Sequence, residues 1–239
     1  MILYNVSDRV TCFTAGKSAH GTEPGVDARE TGVEEAIPAC SPSVSVGGRF
    51  CVPADSLMIP RQTHNVNVAW VDHAGEVPDT DAVITDVPGL CVAVKTADCI
   101  PVLLYDTRKQ IVAAIHAGWR GTVGRIVERT IIEMGSNGDD LLAVIGPGIC
   151  QQCFEVGDEV YEAFREAGFP MSRIALKLEK WHLDLWEANK WVLEQCGVKK
   201  IHIDGTCTKE SNDLYSARRD TIKTGRNING IMIRQQSDL

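Results

Sequence analysis

Residues 82–117 read AVITDVPGLCVAVKTADCIPVLLYDTRKQIVAAIHA, and this stretch decides the fold class. It contains four short runs rich in Val, Ile and Ala, separated by Pro–Gly, Asp and Thr–Arg–Lys elements that are typical of turns. Because the runs are apolar at both sets of alternating positions, they predict strands of a sheet that is covered on both faces. The last two runs, 101–106 and 111–116, are expected to pair as an antiparallel hairpin.

Helices and strands alternate along most of the remaining chain, which predicts one α/β unit over residues 1–239. Apolar residues at helical spacing predict helices, each ending at a glycine, in 121–135, 156–168 and 183–197. Further strands are expected at 10–14, 141–145 and 199–207 and, after an Arg- and Gly-rich loop, at the C-terminus. Residues 21–56 are rich in Gly, Pro, Ala and Ser, and they predict loops with one short helix at 32–37.

Composition excludes several classes of function. The net charge is −8, whereas a nucleic-acid surface needs concentrated Lys and Arg, so no nucleic-acid partner is expected. No apolar stretch is long enough to cross a bilayer and no signal peptide opens the chain, so we expect a cytoplasmic protein without a membrane partner. Nine cysteines in such a chain are expected to be buried, metal-bound or catalytic rather than paired in disulfides.

Three residues of the predicted sheet stand out as candidates for chemistry. Cys99 precedes the first strand of the predicted hairpin and His116 ends the second, so an antiparallel return places both at the same end. His64, in PRQTHN, lies where another strand is expected to begin. Two imidazoles and a thiolate meeting there would make a three-ligand zinc site with one open position, which is the pattern of catalytic zinc.

The same spacing allows other interpretations. Cys99 and His116 could form a nucleophile–base pair oriented by Asp98. Two histidines and a cysteine could also hold a blue-copper ion, although no methionine is placed as its axial ligand. Ordinary core packing is the third possibility. Periodicity does not distinguish among them.

Six motifs occur in a fixed order: QTH, TADC-P, HAGWRG, GP-I--C-EVG, LDLW--N and CT-----L-S-RRD---TGR. On these motifs the chain resembles the YfiH-type laccase-domain family, also called the polyphenol oxidase or purine nucleoside phosphorylase family, from about residue 57 to the C-terminus. The resemblance implies a layered α/β/β/α fold with mixed sheets, related to a cysteine-hydrolase-like domain. The N-terminal segment keeps almost none of the family pattern.

The resemblance also implies an activity and a cofactor. It implies zinc on His64, Cys99 and His116, and phosphorolysis of purine nucleosides to free base and ribose 1-phosphate. Related members also deaminate adenosine and cleave methylthioadenosine. The expected partners are therefore a small purine nucleoside and phosphate.

Phosphorolysis needs groups that bind phosphate and move a proton, and the motifs offer candidates for both roles. Guanidinium groups match oxyanions, so Arg120 is the first candidate for phosphate, followed by Arg218 and Arg219. Asp98 and Glu155 are candidates for proton transfer. Gln62, in the QTH motif, is a further candidate for contact with the substrate.

Alternative functions remain open on the sequence. A copper-dependent polyphenol oxidase is one, although six histidines are few for several coppers, and copper could bind adventitiously. A cysteine hydrolase using Cys99 and a zinc-stabilised binding module without activity are the others. The H-x-E signature of cytidine-type deaminases is absent from the sequence. The single C-x-x-C, Cys150–Cys153, is interpreted as a redox or structural pair.

Overall fold

The computed structural model describes residues 1–17, 43–46 and 50–235. Within these ranges the strands are β1 Ile2–Tyr4, β2 Val10–Ala15, β3 Ser43–Val46, β4 Phe50–Pro53, β5 Leu57–Met58, β6 Val68–Trp70, β7 Ala82–Thr85, β8 Cys91–Thr96, β9 Ile100–Asp106, β10 Ile111–Ala117, β11 Leu141–Ile145, β12 Glu155–Val156, β13 Ala175–Lys177, β14 Trp181–Leu183, β15 Lys200–Ile203 and β16 Asn227–Ile233. The α-helices are α1 Trp119–Val123, α2 Ile126–Met134, α3 Asp158–Glu166, α4 Met171–Ile174, α5 Leu185–Gln195 and α6 Ala217–Asp220.

A mixed six-stranded sheet has the order β15-β11-β9-β10-β7-β6. The predicted hairpin is confirmed, because β9 and β10 pair antiparallel with His116 opposite Pro101. The outer pairs, β11 with β15 and β6 with β7, are parallel. The hairpin therefore lies in the middle of the sheet, where its side chains are buried on both faces.

A second mixed sheet, with the order β1-β2-β16-β8-β5, packs against the first. The run at 91–96, expected in the same sheet as its three neighbours, instead pairs with the C-terminal strand β16. Alternate residues of β9 explain why its sequence is apolar throughout. Leu103 and Tyr105 belong to the apolar cluster between the two sheets, while Val102 and Leu104 belong to the cluster that includes the helices.

The predicted helix over 121–135 is interrupted. It forms α1 and α2, separated at Gly124 and at Arg125, which is left-handed with φ 62°. A Cβ at Gly124 would lie 2.5 Å from Cγ1 of Val66, so the chain needs glycine at this close approach. The predicted stop is confirmed at Gly135, which caps α2 with φ 59°.

The other two predicted helices are confirmed as α3 and α5, and the strands expected at 10–14 and 141–145 as β2 and β11. The strand expected at 199–207 is confirmed as β15, which ends earlier, at Ile203. Two expectations of loops are wrong. Strands β3 and β4 pair antiparallel within 43–53, and Arg218 and Arg219 lie on the short helix α6. The short helix expected at 32–37 lies outside the described residues.

The predicted class, a mixed α/β fold, is confirmed. Helices α2 and α5 cover one face of the six-stranded sheet, and the five-stranded sheet covers the other. The helical layer expected beyond the five-stranded sheet stays a prediction. In the part of the chain that the structure describes, no helix is long and apolar enough to cross a membrane.

Candidate active site

The end of the β9–β10 hairpin brings three metal-ligating side chains together. Cys99 lies in the connection between β8 and β9, His116 lies near the end of β10, and His64 lies in the loop between β5 and β6. Their ligand atoms are all within 4.8 Å of one another. The rings of His64 and His116 meet edge to face, with centroids 4.7 Å apart. The structure therefore places together the three residues that the sequence singled out.

A buried carboxylate that the sequence analysis missed organises this site. Asp81 is fully buried just before β7, and its Oδ1 lies 2.6 Å from Nδ1 of His116. The same carboxylate accepts the backbone N–H groups of Thr63, His64 and Asn65 at 3.0–3.1 Å. It holds His64 in a left-handed conformation with φ 63°. Since a carboxylate accepts only, Nδ1 of His116 carries the proton and Nε2 is left for a metal ion.

The only sequence signal for Asp81 is its position, an acidic residue directly before a buried strand. That position is also common in turns, so it does not by itself indicate a role. Its importance follows from the fold, which brings β10 beside β7 and the 63–65 loop beside both.

Electrostatics at the cluster favour the thiolate. Burial raises the pKa of Cys99, but the imidazoles of His116 and His64 outweigh it and lower the pKa from 9.0 to about 6. Burial lowers the pKa of His116, while Cys99 and Asp81 together raise it to about 9. Near neutral pH the thiol is therefore ionised, which is the form that binds a metal or attacks an electrophile.

The space around the cluster suits an ion. A Cβ added to Gly118, at the start of α1, would lie 3.1 Å from Sγ of Cys99 and 3.3 Å from Cδ2 of His64. Glycine at this position of HAGWRG thus keeps the donor atoms uncovered. Two imidazoles and one thiolate suit zinc or copper, and three protein ligands leave a position open for substrate.

The cluster forms part of the wall of a cavity of about 620 Å³. This volume is within the usual range for pockets that bind small molecules, roughly 300–1,000 Å³. The described lining residues include four cationic side chains and one carboxylate. The cations are Arg61, Lys95, Arg218 and Arg226, and the carboxylate is that of Asp98. The ring of Phe154 is also part of the wall. Such a lining favours an anion next to an apolar, planar group.

Asp98 and Arg218 are tied to each other. Oδ2 of Asp98 accepts the backbone N–H of Arg218 at 2.7 Å, and Oδ1 accepts the hydroxyl of Thr208 at 2.7 Å. The Arg218 guanidinium donates to the backbone oxygens of Glu155 at 3.2 Å and Cys153 at 3.4 Å. One expectation is corrected here, because the carboxylate that orients His116 is Asp81 rather than Asp98.

Gln62 and Glu155 are engaged with the protein itself. The amide of Gln62 lines the cavity but forms two 2.8 Å hydrogen bonds with the backbone of Lys95, which pins the loop before His64 to β8. Glu155 lies outside the cavity lining and pairs with Lys180 at 2.7 Å, a contact that lowers its pKa. A carboxyl group with a lowered pKa is a poor proton donor at neutral pH.

The other two candidate arginines lie away from the cavity lining. The guanidinium of Arg120 is exposed and stacks 4.3 Å from the ring of Trp119. The guanidinium of Arg219 pairs with Asp220 and donates to the backbone oxygens of Thr208 and Leu214, among others. Its donors are thus already used, which gives Arg219 a structural role in the 208–214 loop.

A family model described as "Multi-copper polyphenol oxidoreductase laccase" matches residues 45–234. The chain belongs to this family. The laccase-domain assignment made from the six motifs is therefore confirmed.

Relatives within the laccase-domain family carry different names. A purine nucleoside phosphorylase of Bacteroides thetaiotaomicron is 44% identical over 199 residues, covering 75% of this chain and 74% of the relative. A protein named adenosine deaminase RL5, from an unknown prokaryotic organism, is 39% identical over 217 residues, covering 83% of each chain.

Solved structures confirm the fold of this laccase-domain chain. YfiH of Bacillus licheniformis superposes with a TM-score of 0.72 at 32% identity, covering 77% of this chain and 76% of that one. YlmD of Geobacillus stearothermophilus gives a TM-score of 0.73 at 29% identity, with the same coverage. The mixed α/β architecture is thus shared with both proteins.

Proposed function

We propose that the protein is a zinc-dependent purine nucleoside phosphorylase, which converts a nucleoside and phosphate into free base and ribose 1-phosphate. The observation that carries this proposal is the opening of the His64–Cys99–His116 cluster into a cavity lined by four cationic side chains. The Bacteroides relative, which bears the name of this activity, supports it.

His64, Cys99 and His116 are the proposed ligands of the zinc ion. Their donor set and the space beside Gly118 fit such an ion. When bound there, zinc supplies a Lewis acid that orients and polarises an oxygen of the substrate. Asp81 does not bind the ion itself but supports two of its ligands, by holding the ring of His116 and the backbone of His64 in place.

The phosphate is proposed to lie among the cationic side chains of the cavity. In phosphorolysis a phosphate oxygen bonds to C1′ of the ribose while the bond from C1′ to the purine breaks, and the purine leaves with the electron pair and takes up a proton. Arg218 is the strongest candidate for the phosphate, since Asp98 fixes its backbone and the loop carbonyls fix its guanidinium. A phosphate held this way approaches C1′ without reorganisation of the protein.

The purine base is proposed to lie against Phe154, the aromatic ring of the cavity wall. Stacking recognises the flat face common to all purines, so it predicts broad tolerance among them. Both oxygens of Asp98 already accept hydrogen bonds. We therefore assign Asp98 a positioning role on Arg218.

Turnover of inosine, adenosine and methylthioadenosine by metal-quantified protein, with and without phosphate, tests the proposal. Release of free base that requires phosphate and yields ribose 1-phosphate is the expected result. Absence of base release from all three nucleosides, at full zinc occupancy, contradicts it.

Adenosine deamination is a second candidate, favoured by the relative named adenosine deaminase RL5. The same assay separates the two activities, because deamination releases ammonia and inosine from adenosine without phosphate. If one preparation shows both activities, and substitution of one proposed metal ligand lowers both, the two reactions take place in the same cavity.

A metal-free cysteine hydrolase is the main alternative. Cys99, His116 and Asp81 lie in the order nucleophile, base and orienting carboxylate. Such an enzyme does not need His64 and keeps its activity after chelation, whereas the proposed phosphorylase loses activity in both cases. Polyphenol oxidation by several coppers has less support, since His64 and His116 are the histidines that share a donor cluster in the described chain.

A non-enzymatic binding module makes its own prediction. A chelator should then unfold the chain, as it does for structural zinc domains. Under the enzyme proposal the chelated protein stays folded but inactive, because the two apolar clusters around the six-stranded sheet do not depend on the ion. Thermal melts with and without chelator distinguish the two.

Arg218→Ala is expected to raise the KM for phosphate by about 10- to 100-fold, with a smaller change in the KM for nucleoside. This factor corresponds to the loss of one or two charge-assisted hydrogen bonds to phosphate. Steady-state kinetics with each substrate varied in turn measure both constants. The comparison variant is Arg120→Ala, whose guanidinium lies on Trp119 away from the cavity lining. A larger effect at Arg120 than at Arg218 would reverse this assignment.

A further inference from the structure

A second cluster of metal-ligating side chains lies beside the cavity without lining it. The Sγ atoms of Cys150, Cys153 and Cys207 and a carboxylate oxygen of Glu210 are all within 4.8 Å of one another. We propose that these four residues form a closed, structural zinc site, separate from the proposed catalytic centre. Its ligands are three thiolates and one carboxylate.

The ligands come from two turns that run side by side. Cys150 and Cys153 are three residues apart in a turn closed by a 3.0 Å bond from the N–H of Cys153 to the oxygen of Cys150. Cys207 and Glu210 have the same spacing. A parallel bridge between Gly148 and Cys207 holds the two turns in register. Structural zinc sites are commonly built from two such pairs of closely spaced ligands.

The distances suit a tetrahedral ion. Sγ of Cys153 lies 3.7 Å from Oε1 of Glu210. Zn–S and Zn–O bonds of about 2.3 and 2.1 Å, at the tetrahedral angle, place sulfur and oxygen about 3.6 Å apart. Four protein ligands leave no open position, and a majority of thiolates selects zinc over magnesium or calcium.

The two turns are also joined by a hydrogen bond at the cluster itself. The backbone N–H of Cys150 donates to Sγ of Cys207 at 3.4 Å, which holds the sulfur of one turn against the other. A disulfide between Cys150 and Cys153 would use only two of the four donors.

The proposed ion would connect the two loops that shape the cavity. The backbone oxygen of Cys153 accepts from the Arg218 guanidinium at 3.4 Å. Thr208, next to Cys207, donates its hydroxyl to Asp98 at 2.7 Å. Fixing both loops therefore fixes the side chains proposed to bind phosphate, although the ion itself touches no substrate.

Elemental analysis of purified protein tests the inference without any activity measurement. We expect about two zinc ions per chain in the wild type, one in Cys99→Ala and one in Cys207→Ser. A Cys207→Ser protein that keeps two ions, or a Cys99→Ala protein that keeps none, overturns the second site. The difference of one ion between the wild type and Cys207→Ser reports the second site alone, so it persists if the first cluster holds no metal or if the protein shows no phosphorolysis.

Alkylation of the unmodified chain keeps the test valid if Cys207→Ser does not fold. Labelling with iodoacetamide, mapped by mass spectrometry, is expected to rise about tenfold at Cys150, Cys153 and Cys207 after chelation, since zinc-bound thiolates are shielded. Cys196, which is partly buried and outside both clusters, serves as the internal control. Labelling that does not respond to chelation, or a Cys150–Cys153 disulfide in unreduced protein, overturns the inference.

Discussion

Cys99→Ala is expected to lower kcat for phosphorolysis on the order of 10³-fold, because it removes the proposed thiolate ligand of the metal. The fold should persist, since the apolar clusters on both sides of the six-stranded sheet do not involve this side chain. Zinc content should fall by one ion per chain. Steady-state kinetics, zinc content and a thermal melt on the same preparation measure the three consequences.

The matched control is Cys196→Ala, which truncates a partly buried cysteine outside both donor clusters. Its kcat is expected to stay within about twofold of the wild type. A Cys99→Ala protein that retains a tenth or more of the activity would rule out the proposed metal centre.

His64→Ala separates the metal centre from a cysteine nucleophile. A catalytic triad of Cys99, His116 and Asp81 needs no second imidazole, so a hydrolase would keep its activity in His64→Ala. A three-ligand metal site would not. Loss of activity in Cys99→Ala without any loss of zinc relative to the wild type would favour the nucleophile.

Asp81→Asn is expected to have the next largest effect, acting on stability and on metal affinity together. The amide oxygen of Asn accepts fewer bonds than the carboxylate, which receives Nδ1–H of His116 and three backbone N–H groups. Weakening a fully buried network of this kind lowers the free energy of unfolding by on the order of 3 kcal/mol. For a chain of this size that corresponds to a fall in Tm of roughly 6–12 °C.

Zinc affinity in Asp81→Asn should fall about 10- to 100-fold, as it does when a residue supporting a metal ligand is lost. Competition with a chromogenic chelator measures it. Asp79→Asn is the control, since Asp79 bonds the same loop through Thr63 and Asn65 but is exposed and does not contact His116. Equal losses in both variants would show that loop anchoring, and not support of His116, explains the effect.

Local patterns were sufficient for the hairpin and for the two residues at its end. The runs at 101–106 and 111–116 have the length and turn residues of a hairpin, and antiparallel pairing then puts Cys99 beside His116. The helix stop at Gly135 was equally local, because glycine takes a left-handed conformation easily. The six motifs added the family, which the family model confirms.

Nearness in sequence was misleading for the arginines. Arg120 follows His116 by four residues, yet α1 carries its side chain onto Trp119. Arg218 and Arg219 are adjacent, but successive residues on a helix point about 100° apart. One therefore lines the cavity while the other holds the 208–214 loop.

The amino-acid sequence by itself determined the α/β class, the hairpin and the family, since each depends on periodicity, turn residues or contiguous motifs. Only the tertiary structure decided that β8 belongs to the second sheet, that Asp81 supports His116, and that Cys207 and Glu210 meet the Cys150–Cys153 turn. These contacts join residues between 35 and about 140 positions apart. Their formation depends on how whole strands and loops pack, which no local pattern encodes.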